Sequence, residues 1–137
     1  MKKIEKLIIY TDGGARGNPG PAGIGAVIYD DDKNIIAEIS EYIGETTNNQ
    51  AEYKAVIAAI DKSKELGASE LDFYLDSELV VKQLKREYKV KNEGLAPLFV
   101  RVYNASLSFK RVSFTHVRRE YNKDADRLAN DAMDKMC

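Results

Sequence analysis

The segment TDGGARGNPGPAG, Thr11–Gly23, marks the end of the first predicted strand. It places one carboxylate, Asp12, after an apolar stretch, and five glycines and two prolines follow in the next eleven residues. This abrupt change in composition predicts that the strand breaks directly after Asp12. The sequence therefore predicts a carboxylate at a strand end, beside backbone that carries few side chains.

The composition is that of one domain, residues 1–137. A chain of 137 residues with 44% apolar content can bury roughly two-thirds of its unfolded surface without disulfides. Its one cysteine, Cys137, excludes an intrachain disulfide and favours a reducing, cytoplasmic location. The N-terminal apolar run ends at Tyr10 without a small-residue cleavage site, and no stretch reaches the ~20 apolar residues of a membrane span. We therefore expect a soluble, cytoplasmic protein with no membrane partner.

The first half of the chain predicts three strands and a helix. KLIIYTD and the two β-rich runs of GIGAVIYDDDKNIIAEISEYIG are strand patterns, and DDDKN forms the turn between the last two. From Thr47 to Gly67 the spacing of alanines and β-branched residues is helical. Thr47 or Asn49 can cap this helix, with Gln50 or Glu52 in the capping-box position.

The second half continues with a strand, two helices, a strand and a closing helix. LDFYLDS is a short strand, and ELVVKQLKREY has helical spacing through Leu84 that could extend to Tyr88. A third helix runs from about Ala96 to Leu107, and the strand RVSFTHVRR and the helix NKDADRLANDAMDKM complete the chain. The order βββαβααβα predicts one α/β fold with a five-stranded mixed sheet. Its first three strands form an antiparallel meander, and helices cover both faces.

Charges are segregated along the sequence, although the net charge is only −1. Residues 1–81 carry 8 Lys and Arg against 15 Asp and Glu, residues 82–123 carry 11 against 3, and residues 124–137 carry 2 against 4. The three segments are therefore at −7, +8 and −2. The positive middle segment suits a face that follows phosphates, and it suits a pair of solvated helices as well.

Two aspartates stand at predicted strand ends. Asp12 in IIYTDGG and Asp76 in FYLDSEL each follow a hydrophobic strand and precede a change of chain direction. If these strands are neighbours, both carboxylates lie at the carboxyl edge of the sheet, where ligands of open α/β sheets bind. Each aspartate could instead cap the element that follows, and Asp76 before SELVV suits that role.

Two predicted helices add candidate carboxylates. Glu52 lies in the first turn of the alanine-rich helix, on or near its buried side, where an unpaired carboxylate would be costly. The alternative for Glu52 is a capping-box glutamate. In the last helix Asp124, Asp126 and Asp131 are all candidates, and Asp126 lies closer than Asp131 to the apolar stripe. One of the three is expected to be only a charge favoured by the helix dipole.

A cluster of carboxylates without histidine indicates magnesium or manganese rather than zinc, because hard cations prefer oxygen ligands. Two such ions, ~3.5–4 Å apart, suit an in-line phosphoryl displacement. A Ser–His–Asp triad would need His116, which is the only histidine and lies inside a predicted strand. Serine-nucleophile chemistry is therefore not expected.

Four blocks of the sequence resemble the type 1 ribonuclease H family over essentially the whole chain. They are TDGGARGNPGPAGIGAV, TTNNQAEYKAVIAAI, YLDSELVVKQL and HVRREYNKDADRLAN, in the family's order and spacing. The resemblance implies hydrolysis of the RNA strand of an RNA/DNA hybrid by a two-metal mechanism that leaves 5′-phosphate and 3′-hydroxyl ends. It implies two magnesium ions, with manganese as an expected substitute. The catalytic and metal-binding carboxylates that it implies are Asp12, Glu52, Asp76 and Asp126.

The same motif match implies contacts to nucleic acid. Glycines beside Asp12 leave the backbone open to a ribose-phosphate strand, whose 2′-hydroxyl distinguishes RNA from DNA. Asn18, Asn48 and Gln50 match minor-groove contacts, and Thr47 matches part of a pocket for a phosphate of the DNA strand. Asn48 or Asn49 could instead only cap the helix. The substrate-binding residues implied in this way are Gly13, Gly14, Arg16, Asn18, Thr47, Asn48, Gln50 and Ser77.

The loop before the last helix departs from the best-known family pattern. Many members carry a histidine there, whereas this loop is RREYNKDAD and His116 lies too early. The chain resembles a subgroup with V-x-R-E at this place, in which an arginine takes over. Arg119 is the matching catalytic position, and Arg118 is the alternative. A guanidinium is not a general base near neutral pH, so the implied role is electrostatic or in handling the leaving phosphate.

A second departure is the absence of the family's basic handle. The chain has no tryptophan and carries only KREYKVKNEGLAP between the second and third helices. The cations that remain there are Lys85, Arg86, Lys89 and Lys91. We therefore expect weaker binding of the hybrid, with a steep salt dependence. We also expect the protein to be a monomer.

Two other functions are compatible with the predicted fold. One is a nuclease that acts on double-stranded RNA or DNA junctions, and the other is a non-catalytic hybrid-binding module. The glycine-rich loop and the TNNQ block argue against the first. The presence of all four carboxylates argues against the second.

Overall fold

The structure is a computed structural model, and it describes residues 4–135, so Cys137 lies outside the described residues. Its elements follow the predicted order βββαβααβα. The strands are β1 Lys6–Ala15, β2 Gly20–Tyr29, β3 Ile35–Thr46, β4 Glu70–Leu75 and β5 Arg111–His116. The helices are α1 Asn48–Glu65, α2 Glu78–Leu84, α3 Ala96–Ser106 and α4 Lys123–Lys135.

The five strands form one mixed sheet in the order β3-β2-β1-β4-β5. Strands β1, β2 and β3 pair antiparallel, as predicted, and β4 and β5 run parallel to β1. Thr11 of β1 is paired with Leu75 of β4. Because Asp12 and Asp76 are the next residues on these two strands, the register brings their Cα atoms to the same edge of the sheet.

Helices cover both faces of the sheet, which confirms the predicted layers. On one face, α1 contributes Tyr53, Val56 and Ile60 to a core with Leu7 and Ile9 of β1, and all five are buried. On the other face, α4 lies directly on β2. A Cβ atom added at Gly23 or Gly25 would overlap backbone atoms of α4. The absence of side chains at these glycines therefore lets α4 approach the sheet closely.

Helix α1 begins with a complete capping box. The Thr47 hydroxyl accepts a hydrogen bond from the Gln50 backbone N–H at 3.2 Å, and the Gln50 side-chain oxygen accepts one from the Thr47 N–H at 3.4 Å. Of the alternatives left open by the sequence, Thr47 is the cap and Gln50 its partner. Glu52 takes no part in the cap, so its position on the buried side of the helix needs another explanation.

Element ends differ from the predictions in several places. Strand β1 does not break after Asp12 but continues to Ala15, because glycines 13 and 14 pair with β2 as an extended hairpin. Helix α2 ends at Leu84, and Arg86 then adopts a positive φ of 64°, so the helix does not extend to Tyr88. Helix α3 ends at Ser106 rather than Leu107, and β5 ends at His116 rather than Arg119. Within residues 4–135 no helix has the length and apolar character needed to cross a membrane.

Candidate active site

Three carboxylates from three different elements converge at the carboxyl edge of the sheet. Asp12 comes from β1, Glu52 from the first turns of α1, and Asp76 from the residue after β4. One carboxylate oxygen from each lies within 4.8 Å of the others. Asp12 and Glu52 are buried and Asp76 is half-buried. The Gly13 N–H donates to Glu52 Oε1 at 3.3 Å and fixes the glutamate against the end of β1.

Asp126 is the only one of the three candidate aspartates of α4 that faces this cluster. It lies in the first turn of α4, and its charge raises the pKa of Asp12 and of Asp76. Asp131 points away and pairs with Arg127 at 3.5 Å. Asp124 lines a different cavity, beside Tyr29. The structure thus brings the four predicted carboxylates together, with Asp126 at the rim.

The cluster is electrostatically strained. Burial is the main cause that raises the pKa of Asp12 to about 7, and the charges of Asp76 and Asp126 add to the rise. Burial and the nearby Asp12 charge raise the pKa of Glu52 well above its usual range. Burial also raises the pKa of Asp76, while Arg119 opposes that rise. Deprotonation of the whole cluster is therefore unfavourable when no cation is bound.

The ligand atoms of the cluster suit a hard divalent cation. All of them are carboxylate oxygens, which Mg²⁺ and Mn²⁺ prefer. Glu52 Oε2 is buried and has no hydrogen-bond partner within residues 4–135, although such an atom normally finds one. A cation at this point would supply the missing partner and neutralise the carboxylates that burial has destabilised.

Neither Asp12 nor Asp76 acts as a helix cap. The Ser77 hydroxyl accepts from the Val80 N–H at 3.3 Å and caps α2, which leaves the Asp76 carboxylate free for the cluster. The capping roles that the sequence allowed for Asp76 and Glu52 are therefore wrong. Ser77 itself lies at the edge of the same cavity as Asp76.

Asn122 is a residue of the site that the sequence analysis did not find. It is 1% exposed, and its side-chain N–H donates to the Thr11 carbonyl oxygen at 2.8 Å. The same amide lies close to Asp76 and partly offsets the rise that burial causes in the pKa of that carboxyl. The backbone carbonyl oxygen of Asn122 accepts a hydrogen bond from the Asp126 backbone N–H at 3.1 Å. Asn122 thus connects β1, Asp76 and the start of α4. The only sequence signal was an asparagine just before a helix, which usually indicates no more than a cap.

The two arginines of the loop before α4 differ in position. Arg119 Nη2 lies 3.5 Å from Asp126 Oδ1, and its charge also reaches Asp76. Arg118 pairs instead with Glu120 at 3.7 Å. Both side chains are about 80% exposed, and Arg119 is one of the residues that line the carboxylate cavity. His116 lies in β5, as predicted, but it is the last residue of that strand, and it is exposed.

The carboxylates open into a cavity of about 480 Å³. Five of the eight predicted substrate-binding residues line it, namely Gly13, Gly14, Arg16, Asn48 and Ser77. Arg16 pairs with Asp134 at the end of α4 at 2.6 Å. The Asn48 side-chain oxygen accepts from the Ala15 N–H at 2.7 Å and so holds the start of α1 against the end of β1.

The other three predicted substrate-binding residues do not line this cavity. Thr47 and Gln50 are occupied by the capping box, and Gln50 also hydrogen-bonds to Thr46 and to the Gly94 carbonyl oxygen. The Asn18 side-chain oxygen accepts from the Asn48 N–H at 3.0 Å. Asn18 therefore joins the glycine-rich hairpin to the first turn of α1, whereas Thr47 and Gln50 close that turn and connect it to Thr46 and Gly94.

Gly13 and Gly14 are glycines for different reasons. A Cβ atom at Gly13 would overlap the Ala51 carbonyl oxygen and lie 2.7 Å from the Glu52 nitrogen. A Cβ atom at Gly14 would meet no atom nearer than 3.8 Å. The sequence interpretation assigned both to the approach of a ligand, but at Gly13 the requirement is the close packing of α1. At Gly14, which also lines the cavity, an added Cβ atom would make only ordinary van der Waals contacts, with Asn48 and Met133.

The sheet order and the carboxylate cluster define a ribonuclease H-like α/β protein. A family model described as reverse transcriptase-like matches residues 10–132. A ribonuclease H of Prosthecochloris aestuarii is 33% identical over 145 residues, which cover 94% of this chain and 96% of that protein. The chain belongs to the ribonuclease H-like family.

Two further comparisons agree with this assignment. The crystal structure of LC11-RNase H1 in complex with an RNA/DNA hybrid is 47% identical, has a TM-score of 0.90, and covers 94% of this chain and 97% of that one. A bifunctional protein of Mycobacterium tuberculosis is 47% identical over 130 residues, covering 94% of this chain. The chain spans only 36% of the length of that mycobacterial relative.

Proposed function

We propose that this protein is an endoribonuclease that hydrolyses the RNA strand of RNA/DNA hybrids and leaves 5′-phosphate and 3′-hydroxyl ends. The observation that carries the proposal is the convergence of Asp12, Glu52 and Asp76 within 4.8 Å, with Asp126 at the rim. The relatives named ribonuclease H and the solved relative that holds a hybrid support the same activity.

The proposal assigns all four carboxylates to two Mg²⁺ ions, for which Mn²⁺ can substitute. Bound there, two such ions would activate the attacking water, stabilise the leaving oxygen and neutralise the phosphate. The chain itself supplies the geometry. Gly13 N–H holds Glu52, Asn122 holds Asp76, and the buried setting strengthens each charge interaction by excluding water.

Substrate contacts in this proposal centre on the glycine-rich hairpin and the start of α1. The side-chain oxygens of Asn18 and Asn48 accept hydrogen bonds from backbone N–H groups. Their amide nitrogens donate to no described residue, so these nitrogens are available to donate to base edges in the groove of the hybrid. Gly14 and Arg16 lie beside the RNA strand, and Ser77 lies at the cavity edge. Thr47 and Gln50 contribute a hydroxyl and an amide at the far end of the same surface.

Arg119 takes the place of the histidine that many family members carry in this loop. Its guanidinium lies 3.5 Å from Asp126 and is largely exposed, so it can swing towards a phosphate that arrives at the cluster. It stabilises the negative charge of the leaving group and does not transfer protons. Arg118, paired with Glu120, is not required.

The remaining assignments concern the whole protein. We take residues 1–137 as one ribonuclease H domain that acts as a monomer in the cytoplasm, where its single cysteine would stay reduced. Size-exclusion chromatography with light scattering tests the monomer. Double-stranded RNA or DNA junctions as substrates, and hybrid binding without cleavage, are the competing functions on this fold.

The decisive experiment is cleavage of a short RNA/DNA hybrid, labelled on the RNA strand, beside matched RNA/RNA and DNA/DNA duplexes. Each is incubated with Mg²⁺, Mn²⁺ or EDTA, for the wild type, Asp12→Asn and Asp131→Asn. Asp131→Asn is the matched control because it removes a carboxylate outside the cluster. We expect metal-dependent cleavage of the hybrid alone, abolished by Asp12→Asn and retained by Asp131→Asn.

The other outcomes separate the competing functions. Cleavage of the RNA/RNA or DNA/DNA duplex at least as fast as cleavage of the hybrid would replace the proposed substrate. Hybrid binding that is the same in EDTA and in Mg²⁺, with no cleavage, would identify a binding module. Cleavage that survives Asp12→Asn would place the catalytic centre elsewhere.

A further inference from the structure

The carboxylate cavity extends along α4 beyond the four carboxylates. Asp126, Ala129, Asn130 and Met133 of α4 all line it. Their spacing of i, i+3, i+4 and i+7 places them on one face of the helix, which therefore forms a continuous wall. Asp134 follows at the edge of this face, about 12 Å from Asp126 along the helix axis. The cavity thus has a second end that the carboxylate cluster does not occupy.

Arg16 of the glycine-rich hairpin lies at this second end. It lines the cavity, and it follows Asp12 by four residues, so the two backbone positions are about 13 Å apart. The Arg16 backbone is held in place. Its N–H donates to the Pro21 carbonyl oxygen at 2.8 Å, and a Cβ atom added at Gly20 would overlap the Arg16 carbonyl oxygen. The Arg16 side chain is 45% exposed, so its guanidinium can exchange one partner for another without a change in the backbone.

Arg16 is neutralised by an aspartate of α4. Its Nη2 atom lies 2.6 Å from Asp134 Oδ1, and the Asp134 side chain is 62% exposed. Within residues 4–135 one other cation lines the cavity, Arg119, and it lies 3.5 Å from Asp126. Both cations of the cavity are therefore paired with carboxylates of α4. This pairing lowers the positive charge that the cavity presents to a polyanion.

We propose that Asp134 limits the affinity of this protein for nucleic acid by neutralising Arg16. The inference rests on the proposed function, because it takes Arg16 as a contact to a backbone phosphate of the hybrid. This phosphate lies about 12 Å from the cluster along α4, so it belongs to a nucleotide away from the cleaved bond. To bind it, Arg16 must leave Asp134 or share its charge with it, and the Asp134 carboxylate repels the phosphate in either case.

The size of the effect follows from the exposure of both side chains. Exposed ion pairs are weak, and the free energy that they contribute corresponds to at most about a fivefold change in affinity. A phosphate contact carries no information about base or sugar, so it strengthens binding of a hybrid, of its cleaved product and of DNA alike. By weakening this contact, Asp134 shortens the time that the protein stays on any of them. Asp134 therefore sets affinity and turnover, and it takes no part in the chemical step.

The test is binding of a labelled RNA/DNA hybrid and of a matched DNA duplex in EDTA, so that it does not depend on cleavage. Fluorescence anisotropy gives Kd at several NaCl concentrations between about 50 and 200 mM. The variants are Asp134→Asn, Arg16→Gln, the double variant and Asp131→Asn. Asp131→Asn is the matched control, because Asp131 lies on the same helix, is paired with Arg127 at 3.5 Å and does not line the cavity. It reports the general effect of removing one negative charge from α4.

We expect Asp134→Asn to bind both duplexes about two- to fivefold more tightly than Asp131→Asn, by the same factor for each. The slope of log Kd against log salt concentration should become steeper by up to about one, because Arg16 then acts as a full positive charge. In the Arg16→Gln background, Asp134→Asn should have no more effect than Asp131→Asn. With Mg²⁺, Asp134→Asn should lower KM for the hybrid and leave the single-turnover rate at saturating hybrid unchanged.

Two results would overturn the proposal. One is an Asp134→Asn variant that binds the hybrid no more tightly than Asp131→Asn, and the other is a gain that persists in full when Arg16 is replaced by Gln. If the ion pair served only to hold the hairpin against α4, both single variants would bind more weakly and urea unfolding would show a loss of stability. A wild type that cleaves no hybrid would instead refute the proposed function, and the binding comparison would still be decided separately.

Discussion

Replacing Asp12 by Asn should stabilise the metal-free protein even though it abolishes cleavage. Burial and neighbouring carboxylates raise the pKa of Asp12 from its usual 3.8 to about 7 in the folded state. The difference is about 3 pKa units, and at about 1.36 kcal/mol per unit it amounts to about 4 kcal/mol. Since Asn carries no charge, the folded variant does not bear the free-energy cost of an ionised carboxylate at position 12 above neutral pH.

The pH dependence follows from the direction of the change. Between pH 3.8 and about 7 the folded wild type binds more protons at Asp12 than the unfolded chain, so its stability falls as pH rises. The advantage of Asp12→Asn should therefore be near zero below pH 4 and reach its full value above pH 7. Relaxation and water penetration reduce the gain, so we expect about 2–4 kcal/mol at pH 8.

The assay is urea unfolding in EDTA at several pH values between 4 and 8, for the wild type, Asp12→Asn and Asp131→Asn. Asp131 pairs with Arg127 on the outer side of α4, so its replacement should bring no comparable gain. Adding Mg²⁺ should stabilise the wild type more than Asp12→Asn. If Asp12→Asn were less stable than the wild type at pH 8, or if its gain in the free energy of unfolding did not change with pH, the conclusion that the carboxylates repel one another in the folded state would be wrong.

Three further results are expected. Gly13→Ala should lower the free energy of unfolding by about 1–3 kcal/mol, because the added Cβ overlaps α1, whereas Gly14→Ala should leave it nearly unchanged. Gly14→Ala should instead weaken binding of the hybrid, as measured by titration. Arg119→Ala should slow cleavage of the hybrid at least about tenfold and Arg118→Ala should not, as measured by single-turnover rates. Hybrid affinity should fall linearly on a log–log plot against salt, and Lys89→Ala should reduce the slope by about one.

The fold was largely predictable because local signals and the sheet order agree. Strand and helix patterns predicted the order of the elements. The sequence left open whether β1 and β4 are neighbours, which was the condition for Asp12 and Asp76 to meet, and the sheet order shows that they are. Element ends were less predictable. A glycine pair normally breaks a strand, yet Gly13 and Gly14 continue β1, because the partner strand β2 supplies hydrogen bonds that no local pattern reveals.

Site residues with a local sequence signal were predictable from the sequence. Site residues whose role depends on long-range packing were less so. Asp12 and Asp76 stand out at strand ends, and Glu52 stands out as a carboxylate on an apolar helix face. The position of Asp126 came from resemblance to a family rather than from its spacing. Asn122 could not be found, because its role depends on contacts with Thr11 and Asp76, which lie far away in sequence.

The glycines of the hairpin show why a sequence motif can be correct for a reason other than the expected one. Gly13 gives α1 room to bring Glu52 against Asp12, and Gly25 gives α4 room to bring Asp126 to the same edge. Both glycines therefore act through helix packing, and the carboxylate cluster is a consequence of that packing. The close approach also excludes water, which is why the pKa of Asp12 rises and why the metal-free protein carries the cost. Without a cation, holding these like charges together lowers the stability of the fold, but it also means that the site is already formed. Binding of a divalent cation would restore the lost stability.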